Sequence, residues 1–484
     1  MKCIAVDIGA TSGRVMTVTY ENGIFSYRED KRFVNRIYDD GGTLRWDFPL
    51  LLDNIVSGIH EALRKDPAIR TVGIDTWAVD YGMIDSEGKL LEDPVCYRDA
   101  HSFESRKRLL EKIPFAEIYK IAGIQDLHFN TIYQLYGRKE EPNFARAKKL
   151  LLIPDLIAYC LGGEMWTEYT NLSTTSLFDP VHDEISPVLC DAIGVDRNLF
   201  PPIIHPGESY GTLSRKIFPE LEHDVRILAV PTHDTASAVL GTDGFGEFAY
   251  LSSGTWSLIG TELDHPIIDE RSLKANFTNE LGYGKTVRFL KNTMGMFIAN
   301  EIRKNFLDLE DPIEVEDIVP LVSKEKEIDV YIDPDDPSLE TPGDMIHKVN
   351  AYLARTGQEK LESKGAFLKV IYQSMALNYR CALDRLTTLR GKNFESLLIV
   401  GGGNQAVVLD QFAANATGLP VETGPIEATV LGNALCQMIA LGEIPDKEEG
   451  RKHIRDSISV KTYLPKERAL WERKYETFRR ITGK

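Results

Sequence analysis

Four short stretches of the sequence gather residues able to do chemistry. Residues 6–14 read "VDIGATSGR": Asp7, then the small or hydroxylated Gly9, Ala10, Thr11, Ser12 and Gly13, then Arg14, between two β-prone runs at 4–8 and 15–20. Backbone N–H groups of such a loop can converge on an anion, and a carboxylate beside them suits a metal ion that travels with phosphates. A bare β-hairpin accounts for the glycines equally well, though not for Asp7 at one strand end or Arg14 across the turn. Residues 252–255, "SSGT", offer hydroxyls and backbone donors at a second strand-to-strand turn, where a plain hairpin is again open. "IVGGGNQ" sets three glycines at a strand end before a helix, where bare backbone can approach a ligand. It is not a dinucleotide fingerprint, because the G-x-G-x-x-G spacing is missing and it lies far from the first strand–helix–strand unit.

The fourth stretch, "PTHDTAS" at 231–237, puts Asp234 at a helix start just after a buried strand. Asp is a common N-cap, so a capping role stands beside the sharper one, a general base that accepts a proton from an attacking sugar hydroxyl with His233 alongside. A Ser/His/Asp hydrolase is excluded: there is no G-x-S-x-G elbow, and adjacent residues seldom point along one relay.

The elements that must position these residues follow from periodicity. Apolar spacing predicts a helix at 49–64, leading into a β-rich run at 71–85 whose "DSEGKLL" turn suggests a further hairpin. Strand, helix and strand in that order predict an α/β domain. Helical or irregular sequence fills 102–219, and a buried strand then ends at Pro231. At 246–263 a β-prone run, a Ser/Gly/Thr turn and a second β-prone run repeat the pattern of the N-terminus, dividing the chain near residue 245 into halves that each open with a hairpin. Helices at 294–306 and 367–389, a strand at 396–403, and helices closed by Gly418 and Gly442 complete the second half. The expected domains are 1–244, with the sugar site and the base, and 245–484, with the nucleotide site. Their glycine loops are expected to face one another across a cleft.

Composition narrows the function classes. A chain of 484 residues exceeds what one core usually organises, and 43% hydrophobic with 27% charged residues is an ordinary globular balance. A net charge of −17 argues against a nucleic-acid partner, which needs a basic face. No run approaches the length of a membrane helix, and Asp7 interrupts what would be the apolar part of a signal peptide. The six cysteines are scattered without zinc or C-x-x-C spacing, so a reducing, cytoplasmic setting is expected.

Taken in order from residue 2 to 442, "VDIGATSGR", "GIDTWAVDY", "YRD", "HDTASAV", "YLSSGTWSL", "LKNTMG" and "VGGG" together resemble the FGGY carbohydrate kinases of the actin-like ATPase superfamily. The resemblance implies two actin-like, ribonuclease H-like α/β lobes with an interlobe active-site cleft, and ATP-dependent phosphorylation with Mg2+. "GIDTW", "HDTASA" and "SSGTWSL" are most similar to the members that phosphorylate the 1-hydroxyl of L-rhamnulose in L-rhamnose breakdown, and differ from glycerol and xylulose kinase relatives. By resemblance, Ala10, Thr11, Ser12, Gly13 and Arg14 hold ATP phosphates with Asp7 near the metal, and Thr255, Asn300 and Gly402 complete the nucleotide site. Ala78, His233, Thr235 and Asn292 then contact the sugar, and Asp234 binds it and serves as base. Three positions depart from the family pattern: Thr11 for Ser, Ala78 for Gly, and Asn300 for a longer Gln. The first is chemically mild, the second narrows the sugar space and bears on which ketose fits, and the third shortens a reach towards ATP. The rival expectations are a kinase for L-fuculose or L-xylulose, a non-kinase actin-like ATPase, and a silent sugar sensor. The partners expected are small molecules, L-rhamnulose and ATP, acted on by a monomer or weak homodimer with no nucleic acid or membrane.

Overall fold

The strand Lys2–Ile8 is buried along almost its whole length, the run of apolar side chains expected of a strand covered on both faces. Its alternate residues go to different cores. Ile4, Val6 and Ile8 pack with Ile55, Ile59 and Ala62 of helix Phe48–Lys65, whereas Cys3 and Ala5 pack with Val430, Leu431 and Ala434 of helix Ala428–Ala440. Helix Phe48–Lys65 is fixed at its start by Asp47, whose side chain accepts from Leu50 N, and by a proline in its first turn.

The computed structural model describes residues 1–244, 246–401 and 406–484. The chain divides into two compact units, the first made of Met1–Asp243, Glu262–Phe289 and Glu427–Ile458, the second of Gly244–Thr261, Leu290–Ile426 and Ser459–Lys484. Two later segments, Glu262–Phe289 and Glu427–Ile458, thus return to the first unit.

In the first unit, Lys2–Ile8 pairs antiparallel with Ser12–Glu21 and parallel with Thr71–Thr76, which in turn pairs parallel with Arg226–Leu228. Ile24–Val34 and Ser209–Thr212 are the sheet's edges. The second unit repeats the plan. Phe248–Ser253 pairs antiparallel with Trp256–Leu263 and parallel with Ser396–Val400, which pairs parallel with Val421–Thr423, and Thr462–Tyr463 adds an antiparallel edge. The repeated hairpin seen in the sequence is thus one part of a larger repeat: in each sheet an antiparallel hairpin is followed across the sheet by two parallel strands and an antiparallel edge, and the second sheet has seven strands against six. The helix predicted at 367–389 is longer, Lys364–Arg390, capped by the Ser363 side chain on Ala366 N and ended by Gly391 in the left-handed region.

The hairpin expected at "DSEGKLL" forms as a short one. Asp85 closes a turn, its carboxylate accepting from Glu87 N and Lys89 N, and Ile84 bridges antiparallel to Leu90, with Asp85 N donating to Lys89 O and Leu91 N to Met83 O, each at 2.9 Å; the longer pairing of Tyr81–Ile84 is with the apolar strand Lys149–Leu152. No helix among the described residues is long and apolar enough to cross a membrane, and the six cysteines are free.

Candidate active site

Three parallel strands of the first unit bring chemistry to their carboxyl ends, where ligands of α/β sheets bind. Asp7, near the end of Lys2–Ile8, lies beside Asp75 in register, and Thr76 bridges to His233, with Thr76 N donating to Thr232 O at 2.8 Å. Asp75 is fully buried; its Oδ2 accepts from Asn433 Nδ2 at 2.6 Å, and among the described residues its Oδ1 has no hydrogen-bond partner. Burial pushes the Asp75 carboxyl well above the usual carboxylate range, and the neighbouring Asp7 charge adds to the effect.

His233 and Asp234 are held by a polar cage. Glu168, itself buried, accepts from Thr232 N at 3.2 Å and Thr232 Oγ1 at 2.5 Å, fixing the residue before the histidine. Arg288 reaches His233 Nδ1 with Nη2 at 3.1 Å. The same Nδ1 lies 3.4 Å from Glu280 Oε2, and Nε2 lies 3.4 Å from Asp234 Oδ1. Glu280, 3.1 Å from Arg288 Nη1, balances that arginine; burial opposes its charge, but Arg288, His233 and Thr278 together outweigh burial and hold the carboxyl below its usual range.

The capping role considered for Asp234 is not the one observed. His233 occupies the N-cap position without a side-chain cap bond, and Asp234 is the first residue of helix Asp234–Leu240. Its Oδ1 accepts from Thr235 N at 2.6 Å and Thr235 Oγ1 at 3.1 Å. With His233 on the same side, all its donors gather on Oδ1; among the described residues none donates to Oδ2. The side chain is 30% exposed, so the carboxylate can meet a small molecule. Burial raises the Asp234 carboxyl, with His233 opposing and Asp7 adding to the rise.

The first glycine loop is pinned from outside by Asn35, whose Nδ2 donates to Gly9 O at 2.6 Å and whose N donates to Thr11 O at 3.0 Å. Gly13 is required by packing, since a Cβ there would lie 2.3 Å from the Phe33 ring. Ala10 and Ser12 are half-buried and Thr11 is exposed. Arg14 stands opposite Asp7 as the hairpin register demands, donating to Asp7 Oδ2 at 2.5 Å. Ala78 is half-buried after Thr71–Thr76, next to Val79, a β-branched residue in the left-handed region at φ 71°. Thr131 Oγ1 donates to Val79 O at 2.7 Å and holds that strained turn.

In the second unit, the loop bearing Thr255 packs on the start of helix Phe297–Asp308: Gly295 N donates to Thr255 O at 3.1 Å and Met296 N to Gly254 O at 2.9 Å. Asn300 is exposed one turn into that helix, and Asn292 is half-buried on strand Val287–Met294. Gly401 is left-handed at φ 83°, with a Cβ there 3.3 Å from Ser253 O. Gly402 lies outside the described residues.

Sequence reasoning missed Asn35, Glu168, Glu280, Arg288, Glu427 and Asn433. Three lie on strands, Asn35 in a loop, and Glu427 and Asn433 at the start of and within one helix; only "NELGYGKTVR", with an acid and an arginine close together, carried a signal. Asp80 is one carboxylate the geometry removes from catalysis. It is buried, and accepts from Trp46 Nε1, Trp77 Nε1, Tyr97 N and Gln134 Nε2. Burial pushes it up to about 6 against those donors. Asp80→Asn is expected to cost about 1–3 kcal/mol of stability, since an amide turns its NH2 towards donors, while turnover per folded molecule stays within a few-fold. A denaturation curve with active-site-normalised turnover checks this; a hundredfold loss of turnover at parental stability would make Asp80 catalytic after all.

The chain matches family models for the FGGY family of carbohydrate kinases, N-terminal domain over residues 2–241 and C-terminal domain over residues 249–441. It is 37% identical over 482 residues to the rhamnulokinase of Bacteroides thetaiotaomicron, covering 98% of each chain. It is also 37% identical to the rhamnulokinase of Bacillus subtilis, over 96% of this chain and 95% of that one. Among solved structures, the ligand-bound xylulose kinase of Lactobacillus acidophilus superposes with a TM-score of 0.83 at 18% identity, covering 100% of this chain and 98% of that one. The glycerol kinase of Plasmodium falciparum with ADP superposes with a TM-score of 0.82 at 15% identity, covering 100% and 97%. These two likenesses show the fold.

Proposed function

The chain belongs to the FGGY family of carbohydrate kinases, and from that premise we propose that it transfers the γ-phosphoryl group of ATP to the 1-hydroxyl of L-rhamnulose. The observation that carries the chemistry is Asp234: its Oδ1 accepts both donors of Thr235 and lies 3.4 Å from His233 Nε2, and its side chain is 30% exposed, which leaves Oδ2 to accept a proton. The ketose is supported by the rhamnulokinases that match this chain from end to end.

Phosphoryl transfer asks a protein mainly for positioning and charge stabilisation. In this reading Asp234 accepts the proton of the attacking hydroxyl, and Thr235, bonded to Oδ1, keeps the carboxylate turned so that Oδ2 faces it. Backbone donors of residues 10–13 and the Arg14 guanidinium take the phosphates, with Thr255, Asn300 and Gly402 contributing from the second unit; Ala78, Thr235 and Asn292 bound the sugar. Asp7, with Asp75 beside it carrying an oxygen unpartnered among the described residues, suits Mg2+, which takes one or two carboxylates together with substrate phosphates. When bound, that ion supplies charge neutralisation between the phosphates. We place the enzyme in the cytoplasm as a monomer or weak homodimer, and its six unpaired cysteines support a reducing compartment.

The test is coupled ADP release with L-rhamnulose, L-fuculose and L-xylulose. A clear preference for L-rhamnulose is expected, and equal rates on all three would overturn the assignment. Arg14→Ala is expected to raise the KM for ATP roughly 10–100-fold, the effect of losing one charged hydrogen bond, with sugar affinity nearly intact. Calorimetry that found sugar binding lost and ATP kinetics normal would contradict it.

A further inference from the structure

Arg14 is shared between two carboxylates. Its Nη2 donates to Asp7 Oδ2 at 2.5 Å, and its Nη1 lies 2.5 Å from Oε2 of Glu427, a residue immediately before helix Ala428–Ala440. All four charged side chains involved, Arg14, Asp7, Glu427 and the adjacent Asp75, are mostly buried in the first unit. Burial works against the Arg14 charge, and Asp7 and Glu427 together more than offset it. The same helix reaches the site twice more, through Asn433 to Asp75 Oδ2 and through Gln437 to Ile4 O at 2.9 Å, so Glu427 stands on a firmly seated element.

The pairing poses a problem for the reading just given. If Asp7 is to face a cation that arrives with the phosphates, its bond to Arg14 has to open, and an arginine removed from its only carboxylate in a buried place would be left as an uncompensated charge. Glu427 removes that obstacle. We propose that Glu427 is a positioning residue for the nucleotide: it keeps Arg14 paired through Nη1 while Nη2 leaves Asp7 for a phosphate oxygen. Arg14 then acts as a stand-in cation on Asp7 until the nucleotide and its metal arrive. This rests on the proposed assignment of the loop at residues 9–14 to ATP phosphates.

Glu427→Gln preserves shape and an acceptor oxygen but removes the charge, leaving Arg14 with Asp7 as its one anionic partner. Arg14 then holds Asp7 more tightly, and the free Mg2+ needed for half-maximal ADP binding, read by calorimetry without sugar, is expected to rise about tenfold, the equivalent of about 1.4 kcal/mol. Binding of ADP without Mg2+ changes little, because no cation then competes for Asp7. In an Arg14→Ala background the same substitution is expected to do nothing further, since the partner it releases is gone. Glu427→Asp, which keeps the charge, should recover most of the parental Mg2+ dependence and covers the case in which the glutamine variant folds poorly.

A purely structural role predicts otherwise: equal losses with and without Mg2+, and additivity with Arg14→Ala. Either of these, or a Mg2+ dependence within twofold of the parent, overturns the proposal. If the parent binds MgADP but phosphorylates none of the three ketoses, the sugar assignment fails and the Glu427 result still stands. A parent that binds no MgADP overturns both.

Discussion

Asp234→Asn is expected to lower turnover by about 10²–10⁴-fold, the usual worth of a general base, while ATP and sugar bind and the protein melts as before. The variant keeps its shape, and the amide oxygen can still accept from Thr235 N and Oγ1, the bonds that now fasten Oδ1. What it loses is the basic atom at the position of Oδ2, because an amide nitrogen has no useful basicity near neutral pH. A second signature separates base from anchor. The base works only as a carboxylate, and burial together with the Asp7 charge raises the Asp234 carboxyl against the opposing pull of His233. The acid limb of the kcat profile should therefore lie above the ordinary aspartate value of about 4, and should vanish from the residual activity of the asparagine variant. A variant that turns over within a few-fold of the parent would move the base elsewhere, and Asp75, buried with one oxygen unpartnered among the described residues, is the next carboxylate to test. His233→Ala, which removes a side chain expected to contact the sugar, should raise the sugar KM more than it lowers kcat.

The largest stability effect is expected at Gly432. Helices Asp234–Leu240 and Ala428–Ala440 cross at bare backbone: a Cβ on Gly432 would lie 1.8 Å from Ser237 O and 2.7 Å from Gly241 N, and one on Gly241 would lie 2.0 Å from Ala428 O. Nothing at this crossing is the flexible end of a side chain, so room can be made only by moving a helix. Gly432→Ala should cost about 3 kcal/mol or more, and because one helix begins with Asp234 while the other carries Asn433, the molecules that do fold should also turn over slowly. Chemical denaturation and turnover of the remaining folded protein measure the two losses together. A parental midpoint would show that the crossing is looser than its backbone distances state.

How far the sequence could be read depended on how local each determinant was. The Asp7–Arg14 pair was legible because a short turn between two β-prone runs leaves few registers, and the observed one sets those two residues opposite each other. Helix Phe48–Lys65 was legible from its apolar spacing, and the second hairpin from its likeness to the first. The partner of Asp75 was not, since Asn433 lies 358 positions away and an asparagine inside an apolar helix has no local signature. The longer pairing of strand Tyr81–Ile84 was missed for a related reason. The tight turn at Asp85 gives the local bridge to Leu90, whereas Lys149–Leu152 pairs along the strand's other edge from outside the local window. The start of the helix bearing Asp234 was off by one residue, which exchanged the cap for the first helical position and left the carboxylate aimed differently.

The division of the first unit into three stretches of chain has a consequence for how the protein is made. A ribosome releases the strands Lys2–Ile8, Ser12–Glu21 and Thr71–Thr76 early, yet one face of that sheet, bearing Cys3, Ala5, Met16 and Val18, is covered by Val430, Leu431 and Ala434. At ordinary elongation rates the interval between Asp243 and Ile458 lasts on the order of tens of seconds. For that time the nascent chain carries a bare, strand-rich apolar surface, the kind that chaperones bind and that aggregates when they do not. The last-made part of the first unit thus seals its first-made core, and a message broken before codon 427 would yield Asp7, Arg14 and Asp234 without the helix that seats them.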